Sequence, residues 1–153
     1  MQWRSSRTFT ALGIAALGSV LLMSACTKAS PTPTPSAPTA GNAIVTITMD
    51  EWHMKPSTTS VPAGKVTIIN VDKGTVDHES VLLKSTKAAN SLVVKSDTGK
   101  VDEVAAGETV GEVEVEAGTT EAGTFNLTPG HYVVICNIKD HYKNGMHFDL
   151  TVQ

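Results

Sequence analysis

Three side chains that can bind a soft metal ion are grouped near the end of the 153-residue chain. Cys136, His141 and Met146 share one segment, with four residues between the first two and four between the last two. Thiolate and thioether sulfur are soft ligands that favour copper(I), while imidazole binds both oxidation states of copper. The segment therefore predicts most of a mononuclear copper site, in which Met146 is the weak axial ligand and a further histidine is needed.

The remaining ligand is predicted to be His78, which precedes the apolar run Val81–Leu83 and follows a loop containing Gly74. Zinc is a weaker alternative for this set, because structural zinc sites avoid methionine. Four protein ligands leave no evident place for a substrate, and the sequence has no second cluster of three histidines. We therefore expect a protein that binds one copper ion, as copper(I) or copper(II), and that is not an enzyme.

The N-terminal segment reads as a bacterial export signal. Arg4 and Arg7 make its start positive, and the apolar run Ala11–Met23 is short for a membrane span. The run leads into Leu-Met-Ser-Ala-Cys, which resembles a lipobox whose cysteine, here Cys26, is diacylated and becomes the first mature residue. The alternative is ordinary secretory cleavage near Ala25, which would leave a soluble protein.

The sequence predicts three regions: a signal peptide at 1–25, a tether at 26–41 and one copper-binding domain at 42–153. Alternating Pro, Thr and Ser residues in the tether favour an extended conformation that holds the domain clear of the membrane. If Cys26 is acylated, Cys136 is the remaining thiol in an oxidising compartment. A lone thiol is a liability there, and metal binding is one way to protect it.

The domain is predicted to be an all-β sandwich, because short alternating segments are separated by turns rich in Gly and Pro and no amphipathic helix is evident. The stretch Ser85–Glu121 is expected to be an irregular insertion with short strands, and its acidic run 97–121 to be a solvated face. The predicted strands are Ile44–Thr48, Lys65–Val71, Ser80–Lys84, Ala122–Leu127, His131–Cys136 and Phe148–Val152.

Two segments, Asn70–Leu83 and Cys136–Met146, together resemble the cupredoxin family of type 1 blue-copper proteins, over about residues 44–153. The four-residue spacings are similar to the rusticyanin, auracyanin and sulfocyanin branch rather than to plastocyanin or azurin. The resemblance implies a Greek-key sandwich with one copper ion near one end and a role in one-electron transfer. It also implies that His141 presents its ring edge at the surface as the electron port.

Three features depart from the family pattern without removing a ligand. Many relatives have Pro-Gly just before the loop histidine, whereas this chain has Lys139-Asp140. Plastocyanin and azurin have Asn after the first histidine, where it joins the two ligand loops, whereas this chain has Glu79. The third is the long insertion between His78 and Cys136. These departures leave the reduction potential and the docking face open.

The leading interpretation is a monomeric, extracytoplasmic electron carrier, anchored through Cys26 to a bacterial membrane at the cell surface or in the periplasm. Its expected partners are redox proteins, respiratory or copper enzymes, near that membrane. The net charge of −3 and the lack of a basic stripe argue against nucleic-acid binding. The alternatives are a copper-handling protein, either a chaperone or a store, and a cell-surface β-domain whose loop residues are structural.

Overall fold

The computed structural model describes residues 41–153, so the expectations for the signal peptide, Cys26 and most of the tether lie outside the described residues. Within 41–153, no helix is long and apolar enough to cross a membrane. The elements of this part are β1 (Gly41–Asp50), β2 (His53–Pro56), β3 (Ser60–Val61), β4 (Gly64–Asp72), β5 (His78–Lys84), a 3₁₀ turn (Ala89–Ser91), α1 (Glu103–Ala106), β6 (Glu108–Val115), β7 (Thr120–Leu127), β8 (Gly130–Ile135), a second 3₁₀ turn (Tyr142–Asn144) and β9 (His147–Val152).

The strands form two mixed sheets with the orders β2-β1-β4-β7 and β3-β9-β8-β5-β6. In the first sheet β1 pairs in parallel with β4 and antiparallel with β2. In the second sheet β5 pairs antiparallel with both β6 and β8, and β8 pairs antiparallel with β9. Consecutive strands such as β4 and β5, or β6 and β7, lie in different sheets, so the chain crosses repeatedly between layers. The predicted all-β, Greek-key sandwich is confirmed.

The central strands β5 and β8 are apolar on both faces, which explains their unbroken hydrophobic runs. On β5, Leu82 packs into the core between the sheets, while Val81 and Leu83 belong to a second apolar cluster. On β8, Val134 packs into the core between the sheets and Val133 into the second cluster. The second cluster is completed by residues of the insertion, which therefore covers the outer face of this sheet.

A buried polar contact joins the two sheets beneath the strand ends. The Asn70 amide on β4 donates to the backbone oxygen of Val113 on β6 at 2.7 Å. The Ser80 hydroxyl on β5 donates to the Asn70 amide oxygen, also at 2.7 Å. Since buried amides cost free energy unless their hydrogen bonds are made, these bonds favour one alignment of the two sheets.

The segment expected to be irregular is irregular only in its first half. It contains a 3₁₀ turn, the one-turn helix α1 and an isolated bridge between Val94 and Val101, and then the eight-residue strand β6 and the first two residues of β7. On β6, Val113 and Val115 point inward and alternate with glutamates at the surface. This alternation is a strand signal, and the charged outer face suits an edge strand because it discourages pairing with other chains.

Candidate metal centre

Neighbouring strands bring the predicted ligands to one end of the second sheet. His78 is the first residue of β5, and Cys136 directly follows the last residue of β8. Because β5 and β8 are antiparallel neighbours, with Val81 opposite Ile135, the start of one strand lies beside the end of the other. Met146 directly precedes β9, and its backbone oxygen accepts a 3.0 Å hydrogen bond from the Cys136 amide. The strand pairing therefore places three of the four residues.

The loop between β8 and β9 folds back so that His141 meets Cys136. Nδ1 of His141 lies 3.3 Å from Sγ of Cys136. The loop is closed by a backbone hydrogen bond of 3.3 Å from Met146 to His141. Gly145 has a φ of 108°, a left-handed conformation in which a side chain would be strained, and it turns the chain into β9. The spacing between His141 and Met146 thus reflects one 3₁₀ turn and its glycine cap.

His78 is held by a buried carboxylate. Its Nδ1 lies 2.8 Å from Oδ2 of Asp72, and both side chains are fully buried. A carboxylate accepts hydrogen bonds, so Nδ1 is the donor to Asp72, and in the neutral imidazole the lone pair is then on Nε2. Nε2 is buried without a hydrogen-bond partner among the described residues. A buried lone pair without a donor is costly, and a metal ion would satisfy it.

The four side chains are shielded from solvent. Cys136 and Met146 are 0% exposed, His78 is 1% exposed and His141 is 7% exposed. Burial raises the pKa of the Cys136 thiol from its ordinary value of 9.0 to about 11. Burial, with the neighbouring His78, lowers the pKa of His141. The thiol therefore holds its proton until a cation displaces it, and the lowered pKa of His141 favours its neutral form, which is the form that binds metal.

The four predicted ligands do not lie equally close together. The rings of His78 and His141 have their centroids 5.2 Å apart, and Cys136 contacts His141. In the described part of the chain, the one set of three His, Cys, Asp or Glu residues whose donor atoms all lie within 4.8 Å of one another is Glu79, Glu112 and Glu114. The ring of His78 is thus near that of His141, but the donor atoms of His78, Cys136 and His141 do not all lie within 4.8 Å of one another.

The expectation that His141 presents its ring edge at the surface is wrong for this chain. Trp52 covers the ring in an edge-on arrangement, with centroids 5.0 Å apart and an interplanar angle of 77°. Trp52 lies between β1 and β2 and is itself 42% exposed, whereas His141 is 7% exposed. The sequence contained no signal for this contact, because the two residues are far apart along the chain.

Glu79 joins the two ligand segments despite its departure from the family pattern. Its Oε1 accepts a 2.9 Å hydrogen bond from the backbone amide of Asn137, the residue after Cys136. Burial and a hydrogen bond with Glu112 raise the pKa of Glu79 from 4.5 to about 7. A carboxylate therefore takes the bridging role that the sequence comparison assigned to asparagine in plastocyanin and azurin.

Three residues of the loop between β8 and β9, here called the ligand loop, form hydrogen bonds with the insertion. The Asn137 side chain accepts from the Val101 amide at 2.6 Å. The Asp140 amide donates to the backbone oxygen of Gly99 at 3.0 Å. The Tyr142 hydroxyl accepts from the Leu92 amide at 2.9 Å and donates to the oxygen of Ala89 at 2.7 Å. These bonds support the loop from outside.

This donor set fits copper better than other common metals. A buried thiol, two imidazoles and a thioether are soft or intermediate donors, and two imidazoles with one thiolate and a weak thioether suit a mononuclear copper ion. The orphaned Nε2 of His78 supports the same conclusion. Which residues bind the metal stays a prediction, and the structure adds Asp72 and Trp52, which sequence analysis missed. Neither Asp72 nor Trp52 belongs to a sequence motif, because each contacts a predicted ligand only in the folded protein.

The solved structure of one known protein supports this fold. The chain resembles auracyanin from the photosynthetic bacterium Roseiflexus castenholzii, with 21% identity, 75% of this chain and 99% of that chain covered, and a TM-score of 0.53. It also resembles auracyanin A from Chloroflexus aurantiacus, with 21% identity, coverage of 74% and 100%, and a TM-score of 0.47. Rusticyanin from Thiobacillus ferrooxidans is 18% identical, with 74% of this chain and 79% of that chain covered and a TM-score of 0.48.

No curated protein sequence matches the chain significantly. The sequence model of the sulfocyanin (SoxE) domain matches residues 53–153, which include β2 to β9 and all four predicted ligands. This match covers well over half of the chain. The chain therefore belongs to the sulfocyanin (SoxE) domain family, and its fold is that of a cupredoxin.

Proposed function

We propose that this protein is an extracytoplasmic one-electron carrier with a single type 1 copper ion held by His78, Cys136, His141 and Met146. The observation that carries the proposal is the buried set of one thiol, two imidazoles and one thioether, with Nε2 of His78 lacking any partner in the described structure. Copper bound by such ligands supplies a copper(I)/copper(II) couple. The chain's own residues fix the ligands and keep water away.

A rigid ligand frame supports electron transfer rather than metal exchange. Cys136 and His78 lie at the ends of paired strands, and the loop between Cys136 and Met146 is tied to itself and to the insertion by hydrogen bonds. A frame of this kind changes little between the two oxidation states, so little reorganisation accompanies transfer. The four protein ligands also leave no evident position for a substrate, which supports a carrier rather than an enzyme.

The proposed location is the outer side of a bacterial membrane. The lipobox-like sequence ending in Cys26 and the tether at 26–41 support anchoring by lipid, with redox proteins such as respiratory or copper enzymes as partners. In cell fractionation, we expect the wild-type protein in membranes and Cys26→Ala in the soluble fraction with an unchanged copper spectrum. A Cys26→Ala protein that stays in membranes would place the anchor elsewhere.

Voltammetry of the copper-loaded protein tests the function itself. A carrier gives one reversible one-electron wave and retains copper in both oxidation states when a chelator competes. A protein that stores or delivers copper would instead favour one oxidation state and release the ion to the chelator. The absence of a reversible wave, together with rapid release of copper, would replace electron transfer by copper handling.

A further inference from the structure

We propose that Trp52, and not His141, is the surface contact through which this protein exchanges electrons, and that its partner presents an apolar face there with positive charge at its edge. The inference rests on the proposed carrier function. His141 is 7% exposed, and the Trp52 ring that covers it is 42% exposed. With centroids 5.0 Å apart, the two rings form a continuous contact from the ligand set to the surface. A docked protein would touch Trp52 before it could touch His141.

A second exposed apolar side chain, Val76, lies in a loop that is bonded to the residue before Trp52. Glu51, next to Trp52 in the chain, accepts hydrogen bonds from Thr75 and from the Val76 amide in the loop between β4 and β5. These bonds hold Val76, which is 39% exposed, beside the segment that carries Trp52. Both residues are among the few large apolar side chains exposed in the described part of the chain. Exposed apolar residues grouped in this way are typical of an interaction surface.

The carboxylates near this surface are held in place by bonds within the chain. Glu51 is bound by loop donors that hold its pKa down at about 2, so it stays ionised without needing an outside partner. Asp140 pairs with Lys143 at 3.0 Å, and Asp50 pairs with His53. The donors to Glu51 are backbone amides and a hydroxyl, which bring it no positive charge, and the His53 partner of Asp50 is charged only when protonated. Negative charge therefore lies beside the Trp52 ring, so the surface matches an apolar face with positive charge at its edge and would disfavour a partner that buries a charge against Trp52.

The step itself is a transfer of one electron between two proteins. The reduced molecule becomes the copper(II) form and the oxidised molecule becomes the copper(I) form, with no bond made or broken and no proton moved. Trp52 undergoes no net oxidation. A second copy of this chain is a suitable probe, because self-exchange has no driving force and any change in reduction potential drops out of the comparison.

Self-exchange between copper(I) and copper(II) forms of the full chain, measured by NMR line broadening, tests the contact. Trp52→Arg should slow exchange by about tenfold or more, because the contact between two copies would then have to bury charged side chains. Ile44→Arg is the matched control: it adds the same charge at a residue 62% exposed, on β1 and about 20 Å along the strand from its end near Trp52. Trp52→Phe, which retains an aromatic ring, should stay close to the wild-type rate.

The visible copper band distinguishes failure of the proposed carrier function from failure of the proposed Trp52 contact. If the wild type shows no band and no reversible wave, the carrier function fails. If Trp52→Arg keeps the band and exchanges as fast as Ile44→Arg, the carrier function stands and the Trp52 contact is overturned.

An experiment without metal tests whether Trp52 shields His141 from solvent. In the full chain without copper, diethyl pyrocarbonate should modify His141 severalfold faster in Trp52→Ala than in the wild type, with the more exposed His131 as internal control. Mass spectrometry of the peptides measures both sites. Equal reactivity of His141 in the two proteins would mean that Trp52 does not cover it in solution, and His141 would then return as the contact.

Discussion

Nδ1 of His78 lies 2.8 Å from Oδ2 of Asp72, and neither side chain is exposed to solvent. The other carboxylate oxygen of Asp72 accepts a 2.7 Å hydrogen bond from the Gly74 amide, so the carboxylate is itself fixed. This arrangement selects the tautomer of His78 and fixes its ring orientation. A buried histidine with one nitrogen anchored and the other free is prepared for a metal before the metal arrives.

Removing this anchor should weaken copper binding. We expect Asp72→Ala to lower copper affinity by about 10- to 100-fold, and Asp72→Asn, which keeps a neutral acceptor, to lower it less. Chelator competition measures the affinity. Asp50→Ala is the control, because Asp50 pairs with His53 in the same way but at the surface. Equal losses in Asp72→Ala and Asp50→Ala would contradict a specific role for the buried pair.

The buried Glu79 should make the metal-free protein less stable as the pH rises. Its pKa is raised from 4.5 to about 7 in the folded protein, chiefly by burial and then by Glu112, so the folded state binds more protons than the unfolded state between these values. The free energy of unfolding should therefore fall between about pH 4.5 and pH 7. Urea denaturation across this range should show the fall in wild type and a smaller one in Glu79→Gln. An equal fall in the free energy of unfolding of wild type and Glu79→Gln would show that Glu79 does not cause the pH dependence.

Tyr142 should matter for both stability and the ligand loop. Tyr142→Phe leaves the buried Leu92 amide and Ala89 oxygen without partners and should cost about 1–3 kcal/mol in unfolding. Because these bonds tie the ligand loop to the insertion, the copper spectrum should shift as well. Tyr132→Phe also removes a hydroxyl bond, here to Thr128, and should lower stability without changing the spectrum. A spectral change of the same size in both variants would argue against loop support.

The axial role of Met146 predicts an order of reduction potentials. Met146→Gln supplies a harder oxygen donor, favours copper(II) and should lower the potential, whereas Met146→Leu removes the donor and should raise it. Both variants should still bind copper, because the thiolate and the two imidazoles supply the strong bonds. Voltammetry that fails to give the order Gln below wild type below Leu would remove Met146 from the axial position.

Sequence patterns predicted the fold where one strand face, or both, is apolar. The apolar run of β8 and the alternating apolar residues of β9 predict the ends of both strands to within about one residue, because burial of strand faces sets the spacing of apolar residues. Strand β6 was not recognised as a regular element, although Val113 and Val115 alternate with glutamates, since its edge position lets polar residues dominate. The short strands β2 and β3 carry too few residues for any periodic signal.

The site was predictable to the extent that its donors have distinctive chemistry. Cys136, His141 and Met146 share a short segment, so their types and spacing carry information. Asp72 and Trp52 are ordinary residues in sequence, and their roles depend on contacts that only the assembled sheets create. The surface position expected for His141 was wrong for the same reason, because Trp52 comes from a distant turn.

The most direct test of the central claim is the visible and EPR spectrum of the full chain after copper(II) is added. The wild type should show an intense thiolate-to-copper(II) band and the EPR signal of one bound ion. Cys136→Ser should lose the band while circular dichroism shows the fold retained, and Cys26→Ser, which removes the other cysteine, should keep the band. A wild-type protein that binds copper(II) without the band, or a Cys136→Ser protein that remains blue, would contradict a copper site built on the Cys136 thiolate.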